Sequence, residues 1–356
     1  MKPIIPFALL GALLAVGAAD AAVTNPVGYT TNLIKAAFSP TSAKNNFISL
    51  PLVNSAAWTG TVTSVAGDVV TLNVGASPLV AGAYNNIDAS FPGTDVYAYY
   101  LEAADGFWTH IDTNATGSVT VEVGSGASFT NGESVTIRRH RTISDIFGAT
   151  NTAGLLGDAG GDSNNADNIT IIDEVNGGTV GIIVAPGVVV GALYIDSSFQ
   201  DADDYPVYPD QGLQVLRRGA TDLTVTVTGE VHNRPTQIGI NTGFQIRPVV
   251  LPVPVSLGEL NLYTGNIATG LKGTALGDLN DADGLSVVVD GVPTVYFYST
   301  VDFDTAPGDQ IGWYDDSFNY VNDVDLPAGA ALNISRNNVV NSAPFTWVNP
   351  APTIAP

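Results

Sequence analysis

The sequence predicts an all-β fold of tandem sandwich-like or barrel-like modules with an internal duplication. The chain has 28 Asp but only 6 Glu, together with 38 Gly and 21 Pro. Asp, Gly and Pro favour turns, whereas Glu, which is scarce here, favours helices. Strand-like alternation recurs along the chain without a sustained helical period. The C-terminal half also repeats itself, which indicates that one β module occurs twice.

Short alternating runs bounded by turn residues mark the predicted strands. Residues of these runs are rich in Val, Ile, Thr and aromatic side chains, which fit a pleated and half-buried surface. The clearest runs are 68–74, 94–101, 118–123, 134–139, 212–217, 223–231, 285–289 and 292–299.

The N-terminus has the three parts of a secretory signal peptide. Lys2 gives a small positive region, an apolar run extends from Ile4 to Val16, and Ala19-Asp20-Ala21 fits the small-residue cleavage rule. A membrane anchor is the alternative, but this apolar core is shorter than the roughly 18 residues that a spanning helix needs. We therefore expect residues 1–21 to be removed, a secreted or cell-surface location, and no transmembrane anchor after cleavage.

The absence of Cys and the excess of acidic residues limit what can stabilise the protein and what it can bind. The chain has no Cys, so no disulfide can hold it together outside the cell and its hydrophobic cores must suffice. With 12 Lys and Arg against 34 Asp and Glu, the net charge is −22. A field of that sign repels nucleic acid and anionic membrane surfaces, so we expect no nucleic-acid partner.

The duplication is readable in the sequence. Residues 157–172 read GDAGGDSNNADNITII, and residues 273–288 read GTALGDLNDADGLSVV. When these two segments are aligned from their first residues, Asp162 aligns with Asp278 and Asp167 with Asp283. At a slightly larger offset, the alignment continues with Tyr194, Asp196, Phe199 and Arg217 on Tyr314, Asp316, Phe318 and Arg336.

These signals predict a domain order. Residues 1–21 are the signal peptide, 22–142 an N-terminal β domain, 143–246 the first repeat, 247–256 a proline-rich connector, 257–350 the second repeat and 351–356 a tail. Each repeat is expected to carry its own core, so a fragment that starts near Leu257 should fold alone. A looser similarity around 97–139 leaves a third copy in the first half an open alternative.

Several short blocks carry a resemblance to a known family. They are Asn25-Pro26-Val27-Gly28-Tyr29, Ser49-Leu50-Pro51-Leu52, Thr142 to Phe147, Pro209 to Gly212, and Pro252 to Leu257. The first resembles the "DPVGY" opening of secreted proteins from Verrucomicrobia and related bacteria, with Asn25 in place of the usual Asp. That family has no established activity. The resemblance therefore implies export and assigns no catalytic residue.

The residues themselves give little support for catalysis. The only histidines, His110, His140 and His232, lie far apart in the sequence, and no GxSxG, HExxH or CxxC motif accompanies them. The run Arg138-Arg139-His140-Arg141 could bind anions, but in so acidic a chain we favour pairing of its arginines with the protein's own carboxylates. We therefore expect a protein that is not an enzyme.

Two Asp- and Asn-rich loops are the candidate metal sites. Each offers several hard oxygen ligands at the alternating spacing of calcium loops. The candidate ligands are Asp162, Asn164 and Asp167 in the first loop, and Asp278, Asn280 and Asp283 in the second. The second loop departs from an EF-hand because Ala282 occupies the fifth position and Val289 stands where the closing Glu is required. Calcium ligation and solvated Asx turns remain alternatives.

These observations predict a secreted or cell-surface structural protein, non-enzymatic and assembling with copies of itself as a surface layer or fibre. The alternative is a secreted carbohydrate-binding or carbohydrate-active protein. Aromatic residues such as Trp108, Tyr296 and Trp313 recur at similar places in the modules. Strand alternation places at least half of these aromatics in the core and leaves few as sugar platforms.

Overall fold

The computed structural model describes residues 26–37, 42–85, 96–173, 178–275, 277, 281–289, 292–302, 311–336 and 343–351. The predicted signal peptide, 1–21, and residues 352–356 of the predicted tail lie outside this part of the chain. Strands dominate, and a single five-residue α-helix is present among the described residues. The prediction of an all-β fold is confirmed.

The strands follow one another at short intervals, in keeping with the turn-rich composition. The first group is β1 (Val27–Ile34), β2 (Lys44–Ile48), β3 (Leu52–Val53), β4 (Ala56–Ala66), β5 (Val69–Leu72), β6 (Tyr99–Ala103), β7 (Trp108–Asn114), β8 (Ser118–Val121) and β9 (Ser134–Arg139). The second group is β10 (Arg141–Thr142), α1 (Ile143–Phe147), β11 (Asn168–Asp173), β12 (Gly178–Val184), β13 (Tyr194–Asp196), β14 (Pro206–Val207), β15 (Leu213–Arg217) and β16 (Leu223–Val231). The third group is β17 (Thr236–Ile240), β18 (Gly243–Pro248), β19 (Val255–Ser256), β20 (Gly284–Val289), β21 (Val292–Ser299), β22 (Gly312–Asp315), β23 (Asp325–Leu326), β24 (Ala331–Arg336) and β25 (Phe345–Asn349).

The first sandwich, residues 27–53 with 141–231, consists of two facing sheets. One has the strand order β13-β12-β11-β15-β2, and the other has the order β1-β16-β3. Buried side chains of both sheets, such as Ile169 and Val227, share one hydrophobic core with α1. Each sheet can turn one apolar face to this core because every second residue of a strand points to the same face.

A closed six-stranded barrel, residues 56–139, is inserted between β3 and β10 of the first sandwich. Its strand order is β4-β5-β8-β7-β6-β9. Side chains such as Leu101, Ile111 and Ile137 fill the interior and are fully buried. Closure leaves the barrel without a free sheet edge. A closed barrel differs in topology from the two open five-stranded sheets, so this segment is not a third copy of the repeated module.

The second sandwich, residues 236–349, repeats the plan of the first. Its five-stranded sheet has the order β18-β24-β20-β21-β22, and a β17-β25 pair faces it. Ile238 and Trp347 of the pair share a core with Leu285 and Ile334 of the larger sheet. Strand for strand, this order corresponds to that of the first sandwich.

The correspondence between the sandwiches extends to turns and shows one error in the sequence alignment. Asp196 accepts hydrogen bonds from the amides of residues 198 and 200, and Asp315 accepts the same bonds from residues 317 and 319. Asp315, and not Asp316, is therefore the counterpart of Asp196. Phe199 and Phe318 follow in these turns with φ of 58° and 61°, so they do correspond.

The helix α1 begins with a capping box that the sequence analysis overlooked. Thr142 accepts a hydrogen bond from the amide of Asp145 at 3.2 Å, and the Asp145 carboxylate accepts one from the amide of Thr142 at 3.0 Å. Ser256 and Glu259 make the same reciprocal bonds at the start of a 3-10 turn in the second sandwich. This local motif supplies partners to amides that a helix start leaves free.

Long-range pairing links segments that the predicted domain order separates. Strand β2 precedes the predicted start of the first repeat, yet it pairs with β15, with Lys44 opposite Arg217. Strands β17 and β18 likewise precede Leu257: β17 contributes Ile238 and Ile240 to the second core, and β18 pairs with β24. A fragment from Leu257 would lack both strands. The predicted connector packs against the second sandwich, because residues 249–251 and 255 are buried in its core, while Val253 and Pro254 are exposed.

The two sandwiches contact one another beside β2 and β18. The amide of Ser49 donates to the carbonyl of Gly329 at 2.9 Å, and the amide of Gly212 donates to the carbonyl of Ile246 at 3.2 Å. The buried guanidinium of Arg247 donates to the carbonyl of Asp210 at 3.1 Å. The searched, described residues contain no helix that is long and apolar enough to cross a membrane.

Candidate functional site

The first predicted calcium loop forms an Asx turn. Oδ1 of Asp162 accepts hydrogen bonds from the amide of Asn164 at 2.8 Å and from its side chain at 3.0 Å. The carboxylate of Asp158 holds the amides of Gly160 and Asp162 in the same way. These are the local side-chain to backbone bonds that favour Asp and Asn in turns.

Asp167, the third predicted ligand of that loop, is buried and bound by protein donors. One oxygen accepts from the amide of Leu156 at 2.7 Å and from the guanidinium of Arg217. The other accepts from the amides of Arg218 and Gly219 at 2.6 and 3.2 Å. Both oxygens of Asp167 therefore have protein partners.

Asp283 occupies the corresponding place in the second sandwich. Its carboxylate accepts from the amide of Lys272 at 2.8 Å and from Nε of Arg336 at 3.4 Å. Both members of this ion pair are buried. Asp278 and Asn280 lie outside the described residues, and no group of three or more metal-binding side chains occurs among the residues that were searched. Calcium ligation by these loops stays a prediction.

The three histidines, which are far apart in sequence, gather where the barrel meets the two sandwiches. His110 lies on β7, His140 links β9 to β10, and His232 follows β16; all three are buried. Nδ1 of His110 lies 3.3 Å from Nε2 of His140. Sequence spacing gave no sign of this cluster, because barrel closure and the return of the chain to the first sandwich bring the residues together.

Aromatic rings surround His140. Tyr100 stacks on its imidazole with centroids 4.7 Å apart, and Tyr208 approaches edge-on at the same centroid distance. Trp108 lies 6.2 Å away in a T-shaped arrangement. Such contacts bury the imidazole in a largely apolar environment.

Burial determines the protonation of this histidine pair. It lowers the pKa of His110 to about 3, because the imidazolium would be removed from water. Burial also holds the pKa of His140 well below its ordinary value, and the nearby His110 lowers it further. Both imidazoles are therefore neutral at pH 7, and one N–H can lie between the two facing nitrogens.

A buried ion-pair network lies beside the histidines. The Glu102 carboxylate accepts from His232 and, at 3.2 Å, from Nε of Arg138, which also binds Glu230 at 2.8 Å. Burial acts to raise the pKa of Glu102, but the hydrogen bond and charge of His232 and the charge of Arg138 lower it overall. Thr236 completes the network through a 3.1 Å contact to Nδ1 of His232.

The arginines of the 138–141 run bind groups of the protein itself. Arg138 pairs with Glu102 and Glu230, and Arg139 lies 3.4 Å from Asp204 and 3.8 Å from Asp145. The expectation of pairing with the protein's own carboxylates therefore holds for these two residues. Arg141 differs, because it donates to backbone carbonyls, with Nε 3.0 Å from the oxygen of residue 52.

The outer face of the β1-β16 sheet is a second candidate site. Val27, Tyr29 and Leu33 project from β1 and are 75%, 73% and 45% exposed. Their cross-strand neighbours on β16 are the exposed residues Thr224, Thr226 and Thr228 and the partly buried Glu230.

Comparisons with known proteins found no matching family model, no matching curated protein and no matching solved structure.

Proposed function

We propose that this chain is a secreted or cell-surface structural protein, non-enzymatic, that assembles with further copies of itself into a layer or fibre. The observation that carries the proposal is the outer face of the β1-β16 sheet, defined by Val27, Tyr29, Thr31 and Leu33 with the threonines opposite them. Among the described residues, β1 is the last strand of its sheet. An edge strand with an apolar, uncharged face is a template for association.

Charge supports a second copy as the occupant of this face. A net charge of −22 makes two copies repel one another over most of their surfaces. The one ionised side chain along this register is Glu230, and Arg138 binds its carboxylate. Contact at this face therefore brings apolar and hydroxyl groups together while the excess carboxylates stay in water.

The test is sedimentation velocity and electron microscopy of the mature chain, residues 22–356. The double variant Tyr29→Lys with Leu33→Lys places two charges on the proposed contact, and Val190→Lys is the matched control because Val190 is fully exposed elsewhere. We expect ordered assemblies from the unmodified chain and the control, and monomers from the double variant. Monomers of the unmodified chain at every concentration would contradict the proposal.

Carbohydrate binding is the second candidate, favoured by the groove beside Phe199. The ring is half exposed in a left-handed backbone conformation, and Asp162 and Asn168 line the same groove. An aromatic face next to carboxylate and amide groups suits a sugar ring. Its test is retention on insoluble polysaccharides, with Phe199→Ala as the variant. Retention by no polysaccharide of a broad panel, or equal retention of the variant, would count against this candidate.

A further inference from the structure

The groove beside Phe199 lies on the five-stranded sheet of the first sandwich. Gly181 and Ile183 are two residues apart on β12 and share the sheet face that lines the groove, and Asn168 of β11 lies opposite Ile183. The loop that carries Asp162 and the turn that carries Phe199 complete the lining. The groove has a volume of about 370 Å³, which falls within the range of ligand pockets.

Phe199 holds its place in this groove with a costly backbone conformation. Its φ of 58° is left-handed, which a bulky side chain rarely adopts and which Gly would adopt without strain. Its ring is half exposed, so burial in a core does not account for a Phe at this position. Phe318, in the corresponding turn of the second sandwich, is also half exposed and has a φ of 61°. Strained residues of this kind concentrate at functional sites, which points to a role for the exposed aromatic face.

The ring is also fixed in position by its neighbours. A Cβ on Gly161 would lie only 2.8 Å from Cε1 of Phe199, so the ring packs closely on the backbone of this glycine. The absence of a side chain at Gly161 therefore gives the ring its place at the groove.

Two carboxylates line the groove, and each uses one oxygen to hold a turn. Oδ1 of Asp196 accepts from the amides of residues 198 and 200, and Oδ1 of Asp162 accepts from the amide of residue 164, all at 2.8 Å. Among the described residues, Oδ2 of Asp196 has no donor, and Oδ2 of Asp162 has only the side chain of residue 165 at 3.4 Å. No Lys, Arg or His is among the described residues that line the groove. Its negative charge is therefore available to a ligand.

We propose that this groove binds an amino sugar whose amine is protonated, with the sugar ring stacked on Phe199 and the ammonium group at the carboxylates of Asp162 and Asp196. The inference rests on the carbohydrate candidate of the proposed function and narrows it to cationic sugars. An ammonium group has three donors and no acceptor, so it suits the uncommitted oxygens of two carboxylates. The face of an aromatic ring attracts a cation and also packs against the apolar face of a sugar.

Other ligands match these groups less well. Calcium takes six to eight oxygen ligands, and an aromatic ring supplies none of them. A neutral sugar would leave both carboxylates of the groove without a cation. An acidic sugar would be repelled by these carboxylates and by the net charge of −22.

The test is isothermal titration calorimetry of the mature chain with the β-linked disaccharides of glucosamine, glucose and N-acetylglucosamine. The salt concentration is about 0.15 M, and the pH is mildly acidic so that the amine is charged. We expect the glucosamine disaccharide to bind about 10-fold more tightly than the other two, as one hydrogen bond to a charged group predicts. Equal binding of all three would overturn the inference and leave the carbohydrate candidate standing, whereas binding of none would remove both.

Matched charge variants separate the groove from the general attraction of an acidic protein for cations. Asp162→Asn with Asp196→Asn keeps an oxygen for each turn and removes both charges, so the glucosamine disaccharide should fall to the affinity of the glucose disaccharide. Asp68→Asn with Asp105→Asn is the control, because it makes the same change of net charge at two turn-holding carboxylates of the barrel. The control should bind as the unmodified chain does. Equal losses in the two double variants would refute the assignment to this groove.

Filling variants locate the ligand. Gly181 lines the groove and has open space where a Cβ would stand, so Gly181→Leu should abolish binding of the glucosamine disaccharide. Gly178→Leu adds the same side chain at an exposed position of the same strand and should leave binding intact. Undiminished binding by Gly181→Leu would place the ligand elsewhere. If Gly181→Leu does not fold, the comparison of the two double variants decides the question.

Discussion

The ion pair of Asp167 and Arg217 should be the most sensitive point of the first sandwich. Its carboxylate is 1% exposed and accepts hydrogen bonds from three backbone amides as well as from the guanidinium. Asp167→Asn keeps the shape of the side chain but removes its charge and turns one acceptor into a donor. The guanidinium of Arg217, itself 3% exposed, then loses its carboxylate.

Removing one member of a buried pair destabilises a protein by about 3–5 kcal/mol, because the remaining charge is buried without compensation. We expect Asp167→Asn to lower the free energy of unfolding of the first sandwich by this amount. Asp162→Asn is the control: it changes an exposed carboxylate in the same loop and should alter stability by less than about 0.5 kcal/mol.

Hydrogen exchange measured by mass spectrometry is the suitable assay, because a chain of several modules need not unfold in one step. Amides of β11 and β15 should exchange about 100-fold faster or more in Asp167→Asn, which corresponds to the lower end of that range. Asp283→Asn should have the same effect on β20 and β24. Unchanged protection in Asp167→Asn would refute the assignment of this carboxylate as a structural anchor.

Three further outcomes are expected. In urea unfolding, Gly106→Ala should destabilise the protein more than Gly132→Ala does. Both glycines have φ near 88°, but an added Cβ meets the backbone of residue 235 only at Gly106. Equal losses of stability in the two variants would contradict this contact. The free energy of unfolding should fall as pH drops below about 6.5, by about 1.4 kcal/mol per pH unit for each of the neutral imidazoles of His110 and His140. The reason is that these histidines take up protons in the unfolded chain but stay neutral in the folded one. The loss continues until the pH reaches the folded pKa, which is about 3 for His110. His110→Phe should reduce that slope between pH 6.5 and 5 in urea titrations, and an unchanged slope would show that another group titrates. The calcium prediction expects EDTA to lower the melting temperature by several degrees, and Asp162→Ala to remove the part of that shift that belongs to the first loop. A melting curve unmoved by EDTA and by calcium would retire the prediction.

Local chemistry explains how much of the fold the sequence could predict. Strand β16 was predicted with the bounds that the structure gives it, Leu223–Val231, because its alternation is strong and turn residues bound it. The repeated Asp-rich turns were also recognisable, since an Asx turn is encoded within a few residues. One error remained in the alignment of the two repeats: Tyr194 was aligned with Tyr314, which is one residue too far along the chain.

Long-range partners account for what the sequence could not predict. The pairing of β2 with β15 joins residues on opposite sides of the inserted barrel, and no local pattern encodes such a partner. The sequence predicted Asp167 as a calcium ligand from the spacing of hard oxygen ligands in its loop, but it did not indicate that Arg217, fifty residues further on, pairs with this carboxylate. The histidine cluster was missed for the same reason, since it exists only when the barrel docks on the sandwiches.

Single-cysteine cross-linking tests the proposal of self-assembly most directly. The chain has no cysteine, so Thr226→Cys places a unique thiol at the centre of the uncharged β1-β16 face, and Val190→Cys places one at an exposed site elsewhere. With a flexible bis-maleimide, we expect covalent dimers from the mature Thr226→Cys chain at micromolar concentration and none above background from Val190→Cys. Equal yields from the two variants, or no dimer from Thr226→Cys, would contradict assembly through this face.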